Sequence, residues 1–369
     1  MPGSSGSRMT LEDLGWNEHF AASFAPYAAE GLVPGRVVAQ RGLNRVSTGE
    51  AEHYADLAGR FRHELEGPGA AVGYPAVGDW VVFRPPTGEG RGLIHAVLPR
   101  RSKFSRKVAG DRTEEQVVAA NVDTLFLVSG LDGDFNPRRI ERYLTSAWDS
   151  GARPVVILNK LDRCEEPDRC LLEAQAVSMG VPVHRVSAKT GEGCDALREY
   201  LRPGETVSLL GSSGVGKSTL INRLLGREAQ RTGDVREDDD RGRHTTTHRE
   251  LLALPGGGLI IDTPGLREIQ LWEGEQGGIE STFADVEELA EGCRFGDCRH
   301  QGEPGCAVEE AVSRGDLAPE RLESYHKLQR ELHQLHLKQD ELARLREKQK
   351  SKAVQKALRE HYRLKPRGD

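Results

Sequence analysis

The sequence contains no uninterrupted apolar run long enough to cross a lipid bilayer. Its longest runs, Thr124–Val128 and Pro154–Leu158, are far shorter than the roughly 20 apolar residues of a membrane-spanning helix. The first residues, Met1 to Arg8, lack the apolar segment of an export signal. We therefore expect a cytoplasmic protein with no membrane partner.

A disulfide framework and a basic overall charge are also lacking. The chain has six cysteines, of which Cys164, Cys170 and Cys194 are scattered, unlike the dense pattern of small secreted domains. Its net charge is −6, so the molecule as a whole is not built to bind polyanions. Two segments are nevertheless basic, Pro99–Lys107 and the tail over 341–369. Each is either a solvated surface or a contact for an RNA backbone.

The N-terminal part predicts a flexible extension followed by a small β-barrel. Residues 1–34 are interpreted as the extension, with a helix possible over 11–30. Short strand-like runs broken by glycine and proline then predict a barrel over 35–110. These runs cover 36–40, 79–83 and 92–98. An OB-type barrel is a common solution at this size, and the composition is equally compatible with an SH3-like barrel.

From residue 121 to 265 the pattern changes to alternating strands and helices. Such alternation predicts an α/β fold, with a mainly parallel sheet covered by helices on both faces. Asn136 and Pro137 supply an N-cap and an N1 proline for the first helix. Strands are predicted over 125–128, 155–158, 181–186, 206–210, 249–254 and 259–262, and helices over 138–150, 167–179, 194–201 and 217–225.

One glycine-rich segment matches the phosphate-loop pattern GxxxxGK[ST]. It runs Gly211-Ser212-Ser213-Gly214-Val215-Gly216-Lys217-Ser218 and is followed by Thr219. It lies between a predicted strand and a predicted helix, the context in which backbone N–H groups and the helix N-terminus bind phosphates. Lys217 would contact the β- and γ-phosphates, and the Ser218 hydroxyl would ligate Mg²⁺. The motif predicts a nucleoside triphosphate site without identifying the base.

A second motif, Asp262-Thr-Pro-Gly265, follows the last predicted strand. We expect Asp262 to hold Mg²⁺ through water and the Gly265 N–H to meet the γ-phosphate. Between this motif and the phosphate loop lies a polar run, Arg243-His-Thr-Thr-Thr-His248. We expect Thr246 to supply a hydroxyl to Mg²⁺ and the γ-phosphate, with its two neighbouring threonines as alternatives.

Two further motifs identify the base as guanine. Asn159-Lys160-Leu161-Asp162 follows a predicted strand, and Asp162 can accept hydrogen bonds from guanine N1–H and its amino group. Adenine has no such donor pair, so discrimination should be strong. Lys160 would cover the base, and Asn159 would tie the base-binding loop to the phosphate loop. After the next strand come Ser187-Ala188-Lys189, where the Ala188 N–H can donate to guanine O6.

The order of these motifs is unusual. In the Ras-like arrangement the phosphate loop comes first, whereas here Asn159–Asp162 and Ser187–Lys189 precede it. Cutting the usual fold after the DxxG strand and joining its former ends produces this order with every strand retained. The short polar segment Leu201–Glu205 suits that junction. We therefore predict a circularly permuted phosphate-loop GTPase domain.

Near the C-terminus, four metal-ligand residues lie within fourteen positions: Cys293, Cys298, His300 and Cys306. Three thiolates and one imidazole suit a closed tetrahedral Zn²⁺ site with a structural role. The alternative is a disulfide with a spare thiol. A helix is predicted from Pro319 to about Tyr362.

With these motifs in hand, the chain resembles the RsgA family of small ribosomal subunit biogenesis GTPases. The shared features are Ala119–Asp123, the permuted motif order, His244–Thr247, Asp262–Gly265 and the cysteine cluster, across most of residues 35–310. The resemblance implies an N-terminal OB-fold, a permuted GTPase domain over 119–272 and a mostly helical zinc-binding domain over 273–369. It implies GTP hydrolysis stimulated by the small (30S) ribosomal subunit during late maturation. The implied partners are GTP or GDP, the subunit and its 16S rRNA, and we expect a monomer.

The residue that positions the attacking water is not given by a motif. Ras-like proteins often have a glutamine just after DxxG, where this chain has Leu266. We expect His244 to take this catalytic role beside Thr246 and Lys217, with His248 as the nearest competitor. No arginine finger is evident, although Arg241 and Arg243 are close.

Two other functions remain in view. The first is an RNA-docking assembly factor in which the nucleotide only gates affinity and hydrolysis is secondary. The second is a phosphate-loop kinase, which the base-reading motifs disfavour.

Overall fold

The computed structural model describes residues 9–67, 73–107, 115–226, 249–262, 277–334 and Leu337. Within these residues no helix is both long and apolar enough to cross a membrane.

The N-terminal segment packs on the barrel from residue 9 onward. Helix α1 (Glu18–Phe24) is capped by the Asn17 side chain and continues as a 3-10 helix, Ala25–Glu30. The possible helix over 11–30 thus begins only at Glu18, after Gly15, which adopts φ +87°, a conformation that interrupts helices. Leu14 and Phe20 lie buried against Trp80. Over these residues the structure differs from the expected flexible extension over 1–34, because the aromatic side chains of the segment pack against an apolar surface of the barrel.

Five strands and one helix form the barrel. They are β1 (Val33–Gln40), β2 (Asn44–Ser47), β3 (Glu52–Leu57), α2 (Gly59–Glu66), β4 (Trp80–Arg84) and β5 (Gly92–Val97). Strand β1 pairs with both β2 and β4, β4 pairs antiparallel with β5, and β3 runs parallel to β5. This closed five-stranded arrangement is of the OB type. The OB-type prediction is confirmed and the SH3-like alternative is set aside.

A two-stranded ribbon connects the barrel to the next domain. It consists of β6 (Lys103–Lys107) and β7 (Glu115–Ala120). Phe104 in this ribbon is only 2% exposed and belongs to the core of the nucleotide-binding domain. It is therefore a packing residue and not a free ring for stacking on a base.

The α/β domain contains a six-stranded sheet. Its strands are β8 (Thr124–Gly130), β9 (Arg153–Asn159), β10 (Val183–Arg185), β11 (Thr206–Leu210), β12 (Arg249–Ala253) and β13 (Leu259–Asp262). The order is β10-β9-β8-β11-β13-β12, parallel except for β12. Strand β12 also pairs with β1, so the two domains share one eleven-stranded sheet.

Helices cover both faces of this sheet, as the alternating pattern predicts. Helices α3 (Pro137–Ser150) and α4 (Pro167–Val177) pack on one face, and α5 (Lys217–Leu225) packs on the other. The helix predicted over 194–201 is a 3-10 helix, Cys194–Tyr200. It begins after Gly193, whose φ is +72°.

The C-terminal domain is helical over its described residues. It contains α6 (Gly278–Thr282), α7 (Ala284–Ala290), α8 (Ala307–Arg314) and α9 (319–334). Phe283, Val308 and Tyr325 are central in its core. The predicted extension of α9 beyond 334 falls, apart from Leu337, outside the described residues.

Candidate nucleotide-binding site and metal centre

The four nucleotide motifs follow four parallel strands of one sheet. Asn159 ends β9, Ser187 lies two residues beyond β10, the phosphate loop follows β11, and Asp262 ends β13. Because these strands run parallel, their carboxyl ends meet at one edge, where open α/β sheets bind ligands. Residues scattered over a hundred positions of sequence thus share one edge of the sheet.

The phosphate loop has the conformation that its glycines allow. Gly214 and Gly216 adopt φ +78° and +94°, and α5 begins at Lys217 with no side chain capping its first N–H groups. Such a helix start favours an anion. The Lys217 Nζ donates to the carbonyl oxygens of Gly211 and Ser212, each at 2.6 Å. Ser213 is exposed in the loop, and Ser218 and Thr219 lie in the first turn of α5.

Asn159 joins three of the motifs. Its side chain is 2% exposed, and its Nδ2 donates to the Val215 carbonyl at 2.7 Å. Its Oδ1 accepts from the Ala188 N–H at 3.0 Å. The same N–H was expected to donate to guanine O6, so the two roles are compatible only if the hydrogen is shared between both acceptors.

Asp162 is prepared to act as a hydrogen-bond acceptor. The Ser187 hydroxyl donates to its Oδ1 at 2.6 Å, and this hydrogen bond lowers the pKa of the Asp162 carboxyl, with smaller contributions from Lys189 and Arg163. The carboxylate therefore stays ionised at neutral pH while its side chain remains exposed.

Three residues near the site belong to none of the motifs. Asp132, in the loop after β8, forms an ion pair with Lys160. Arg139, on α3, donates to the Ser212 hydroxyl at 2.8 Å. Arg223, on α5, donates to the Ala188 carbonyl at 3.1 Å. The loop after β8 is polar and follows a buried strand, a signal by which Asp132 could have been found.

Several predicted residues lie outside the described part of the chain. They are His244, Thr246 and Gly265, together with the alternatives considered for them. Asp262 lies at the end of β13, beside the strand that leads into the phosphate loop, since Ile261 is in register with Ser208. The predicted magnesium ligands Ser218 and Asp262 thus follow adjacent strands.

The cysteine cluster converges in space. The ligand atoms of Cys293, Cys298, His300 and Cys306 all lie within 4.8 Å of one another. His300 Nδ1 is 3.4 Å from Cys306 Sγ, and Cys293 Sγ is 4.0 Å from Cys306 Sγ. Ligand atoms bound to a tetrahedral zinc ion through bonds of about 2.3 Å would be separated from one another by distances close to these two. The donor set therefore fits a structural metal ion.

The local backbone holds two of the four ligand residues in place. Cys306 caps α8, and its Sγ accepts from the Glu309 N–H at 3.5 Å. His300 adopts φ +58°, a conformation that non-glycine residues seldom adopt. Cys164, Cys170 and Cys194 are free and belong to the nucleotide-binding domain.

Comparisons with known proteins agree with this architecture. A family model described as RsgA GTPase matches residues 97–272. The small ribosomal subunit biogenesis GTPase RsgA of Opitutus terrae is 52% identical over 332 residues, covering 88% of this chain and 90% of that protein.

Two solved structures share the fold. The crystal structure of YjeQ from Thermotoga maritima is 30% identical with a TM-score of 0.60, covering 80% of this chain and 97% of that chain. YloQ, described as a circularly permuted GTPase, is 23% identical with a TM-score of 0.58, covering 82% of this chain and 96% of that chain. The predicted circular permutation of the fold is confirmed. On its sequence and its fold, the chain belongs to the RsgA family of small ribosomal subunit biogenesis GTPases.

Proposed function

We propose that this protein binds GTP with Mg²⁺ at the shared sheet edge and hydrolyses it during maturation of the small ribosomal subunit. The observation that carries this proposal is Asn159, whose buried side chain bonds Val215 of the phosphate loop and Ala188 of the base loop. One residue thereby coordinates phosphate binding with base recognition. Family membership supports the reaction and the ribosomal partner.

Within this site each side chain has a proposed role. Asp162 and Ala188 read guanine, Lys217 binds the β- and γ-phosphates, and Ser218 and Asp262 hold Mg²⁺ directly or through water. Mg²⁺ would neutralise the charge that develops on the phosphates. The binding site also includes the remaining phosphate-loop residues and Asn159, Lys160, Ser187, Lys189 and Thr219.

Base recognition is tested by Asp162→Asn. The substitution removes the acceptor for the guanine 2-amino group, because an amide keeps only one acceptor oxygen, for N1–H, and its NH2 group can donate to the C2 carbonyl of xanthine. We expect GTP affinity to fall at least about 100-fold and xanthosine triphosphate to become the better ligand in a titration with labelled nucleotides. Unchanged GTP affinity, or equal binding of ATP by the unsubstituted protein, would reject the proposed site.

Turnover is proposed to rise when the protein meets the small subunit, with His244 positioning water and Thr246 binding Mg²⁺. GTP hydrolysis measured with and without purified 30S particles tests this proposal. We expect His244→Ala to leave GTP binding near normal while stimulated turnover falls, and His248→Ala tests the nearest competitor for the role. If stimulated turnover is unaffected, His244 does not have this role. Absence of any stimulation would favour the nucleotide-gated assembly factor.

The cysteine cluster is proposed to bind one structural Zn²⁺. Zinc would link α7 to the start of α8 and supply no chemistry to GTP, because all four coordination positions are protein ligands. Metal analysis of reduced protein should find one zinc per chain.

The proposal also includes a contact with 16S rRNA through the exposed Arg101 and Lys103. We further propose that the protein acts as a monomer in the cytoplasm.

A further inference from the structure

Helix α3 contacts the phosphate loop at its first turns. Arg139 Nη1 donates to the Ser212 hydroxyl at 2.8 Å and to Asp134 Oδ1 at 2.6 Å. The Tyr143 hydroxyl, one turn later, lies 3.4 Å from the same Ser212 oxygen. Arg139 is thus oriented by a carboxylate and directed at the loop.

Ser212 connects this helix to the phosphate-binding lysine. Its hydroxyl accepts from Arg139, and its carbonyl accepts from Lys217 Nζ at 2.6 Å. The position of Lys217 relative to a phosphate therefore depends on where Arg139 holds Ser212.

The opposite side of α3 is joined to the C-terminal domain by a buried ion network. Glu141 is fully buried and accepts from Arg321 Nη1 at 2.9 Å and from Ser324 Oγ at 2.6 Å. Arg321 is 4% exposed and also donates to Asp285 at 2.8 Å. Removing Arg321 would leave the buried Glu141 with only the partly exposed Arg138 as an ion-pair partner, and loss of a buried partner is unfavourable.

Further contacts along α3 strengthen the junction. Arg142 pairs with Glu331 on α9 at 2.7 Å, and the Thr145 hydroxyl donates to that of Thr282 on α6 at 3.2 Å. Arg139 thus contacts the phosphate loop, whereas Arg142 and Thr145 contact the C-terminal domain. The phosphate loop and the C-terminal domain hold the same helix.

We propose that Arg139 is a positioning residue for the phosphate loop, acting through Ser212 on Lys217, and that the Glu141–Arg321 network makes its position depend on the C-terminal domain. This inference rests on the proposed assignment of residues 211–218 as the phosphate loop. It assigns to α3 a role in nucleotide binding that no sequence motif marks.

The test measures release of a fluorescent guanosine diphosphate from the full chain. We expect Arg139→Ala to accelerate release about ten-fold, since it removes one charge-assisted hydrogen bond. Ser212→Ala should give a similar increase, and the double variant should be no faster than the faster single variant. Arg139→Lys should release the nucleotide more slowly than Arg139→Ala, because the lysine keeps the positive charge. Arg169→Ala removes an exposed ion-paired arginine of α4 and should leave release unchanged.

The dependence on the C-terminal domain is tested with the paired substitution of Glu141→Gln and Arg321→Met. It removes both buried charges of the network and leaves only their partly exposed partners, Arg138 and Asp285. In protein that keeps Arg139, we expect the paired substitution to make nucleotide release about three-fold faster. In protein that carries Arg139→Ala, we expect the paired substitution to leave the release rate unchanged. Retention of one metal per chain shows that the domain remains folded. Arg314→Ala, which removes an exposed ion pair of α8, is the control.

Additive effects of Arg139→Ala and Ser212→Ala, or equal acceleration in both Arg139 backgrounds, would overturn the inference. The kcat of hydrolysis should change less than KM, because the contact exists before the reaction. If the unsubstituted protein bound no guanine nucleotide, the proposed function itself would fail. If it bound normally and Arg139→Ala released at the same rate, only this inference would fail.

Discussion

At the scale of single residues, Gly216 shows how closely the site is packed. Its φ of +94° is unfavourable for other residues. A Cβ built at this position would lie 2.3 Å from Asn159 Nδ2. Any side chain would therefore displace the asparagine that joins phosphate and base loops.

We expect Gly216→Ala to abolish measurable GTP binding, since it both strains the backbone and moves Asn159. The measurement is a titration with labelled nucleotide, with circular dichroism to follow folding. Gly226→Ala is the matched control: Gly226 also has positive φ, at +64°, but a Cβ there meets nothing within 4 Å. It should lose about 1 kcal/mol of stability and bind normally. Normal binding by Gly216→Ala would contradict the proposed role of Asn159.

Sequence motifs name the residue types of the proposed site but say little about the partners that support them. Lys217 and Asp162 stand in motifs whose spacing reflects their chemistry. Asp132 and Arg139 act through contacts across the fold. The polar loop after β8 offers a signal for Asp132, whereas no pattern marks Arg139. Ala188 was predicted to face the base alone, whereas its N–H also supports Asn159.

At the scale of elements, the C-terminal end of α3 carries an aspartate in an unfavourable environment. Burial raises the pKa of Asp149 to about 6, with the Gly278 N–H opposing the shift and Glu280 adding to it. The folded state therefore holds its proton more tightly than the unfolded chain. Between pH 3.8 and about 6, the stability contributed by this group falls as the pH rises.

We expect Asp149→Asn to raise the free energy of unfolding at pH 7 by about 1–2 kcal/mol, after allowance for partial solvent exposure. The amide oxygen can still accept from Gly278, whose N–H lies 2.8 Å from Oδ1. Urea unfolding at several pH values measures the effect, and the difference from the unsubstituted protein should vanish near pH 4. Asp195→Asn, at a side chain that is 96% exposed, is the control. A constant difference at all pH values would contradict the assignment.

Element predictions succeeded where the periodicity was strong and failed where short segments depend on tertiary contacts. The predicted bounds of the buried strand β11 and of α5 match the structure. The segment Cys194–Tyr200 is a 3-10 helix, because its local sequence does not choose between helix types. Residues 9–32 pack through Phe20 onto Trp80, a surface absent from their own sequence.

At the scale of the whole molecule, Arg36 joins three parts of the chain. It is 1% exposed and donates to the carbonyl oxygens of Leu14, Gly78 and Asn121 and to the Thr206 hydroxyl. The N-terminal segment, the barrel and the nucleotide-binding domain thus converge on one guanidinium. Burial lowers its pKa to about 10, so it remains charged at neutral pH.

We expect Arg36→Met to lower the free energy of unfolding by about 2–4 kcal/mol, because several buried acceptors lose their donor. Thermal and urea unfolding measure the loss. Arg41→Met is the control, since Arg41 is 54% exposed and pairs with Glu250 at the surface; it should change stability by less than about 1 kcal/mol. An equal effect of both substitutions would show that Arg36 does not hold these parts together.

The shared ladder between the two domains has a mechanical consequence. Strand β12 begins directly after His248, and its first residues, Arg249 and Glu250, pair with Gln40 and Ala39 of the barrel. Glu250 also forms an ion pair with Arg45 of the barrel, at 2.5 Å. A partner that displaced the barrel would therefore displace the strand that directly follows the segment containing His244 and Thr246, the two residues proposed to act in hydrolysis.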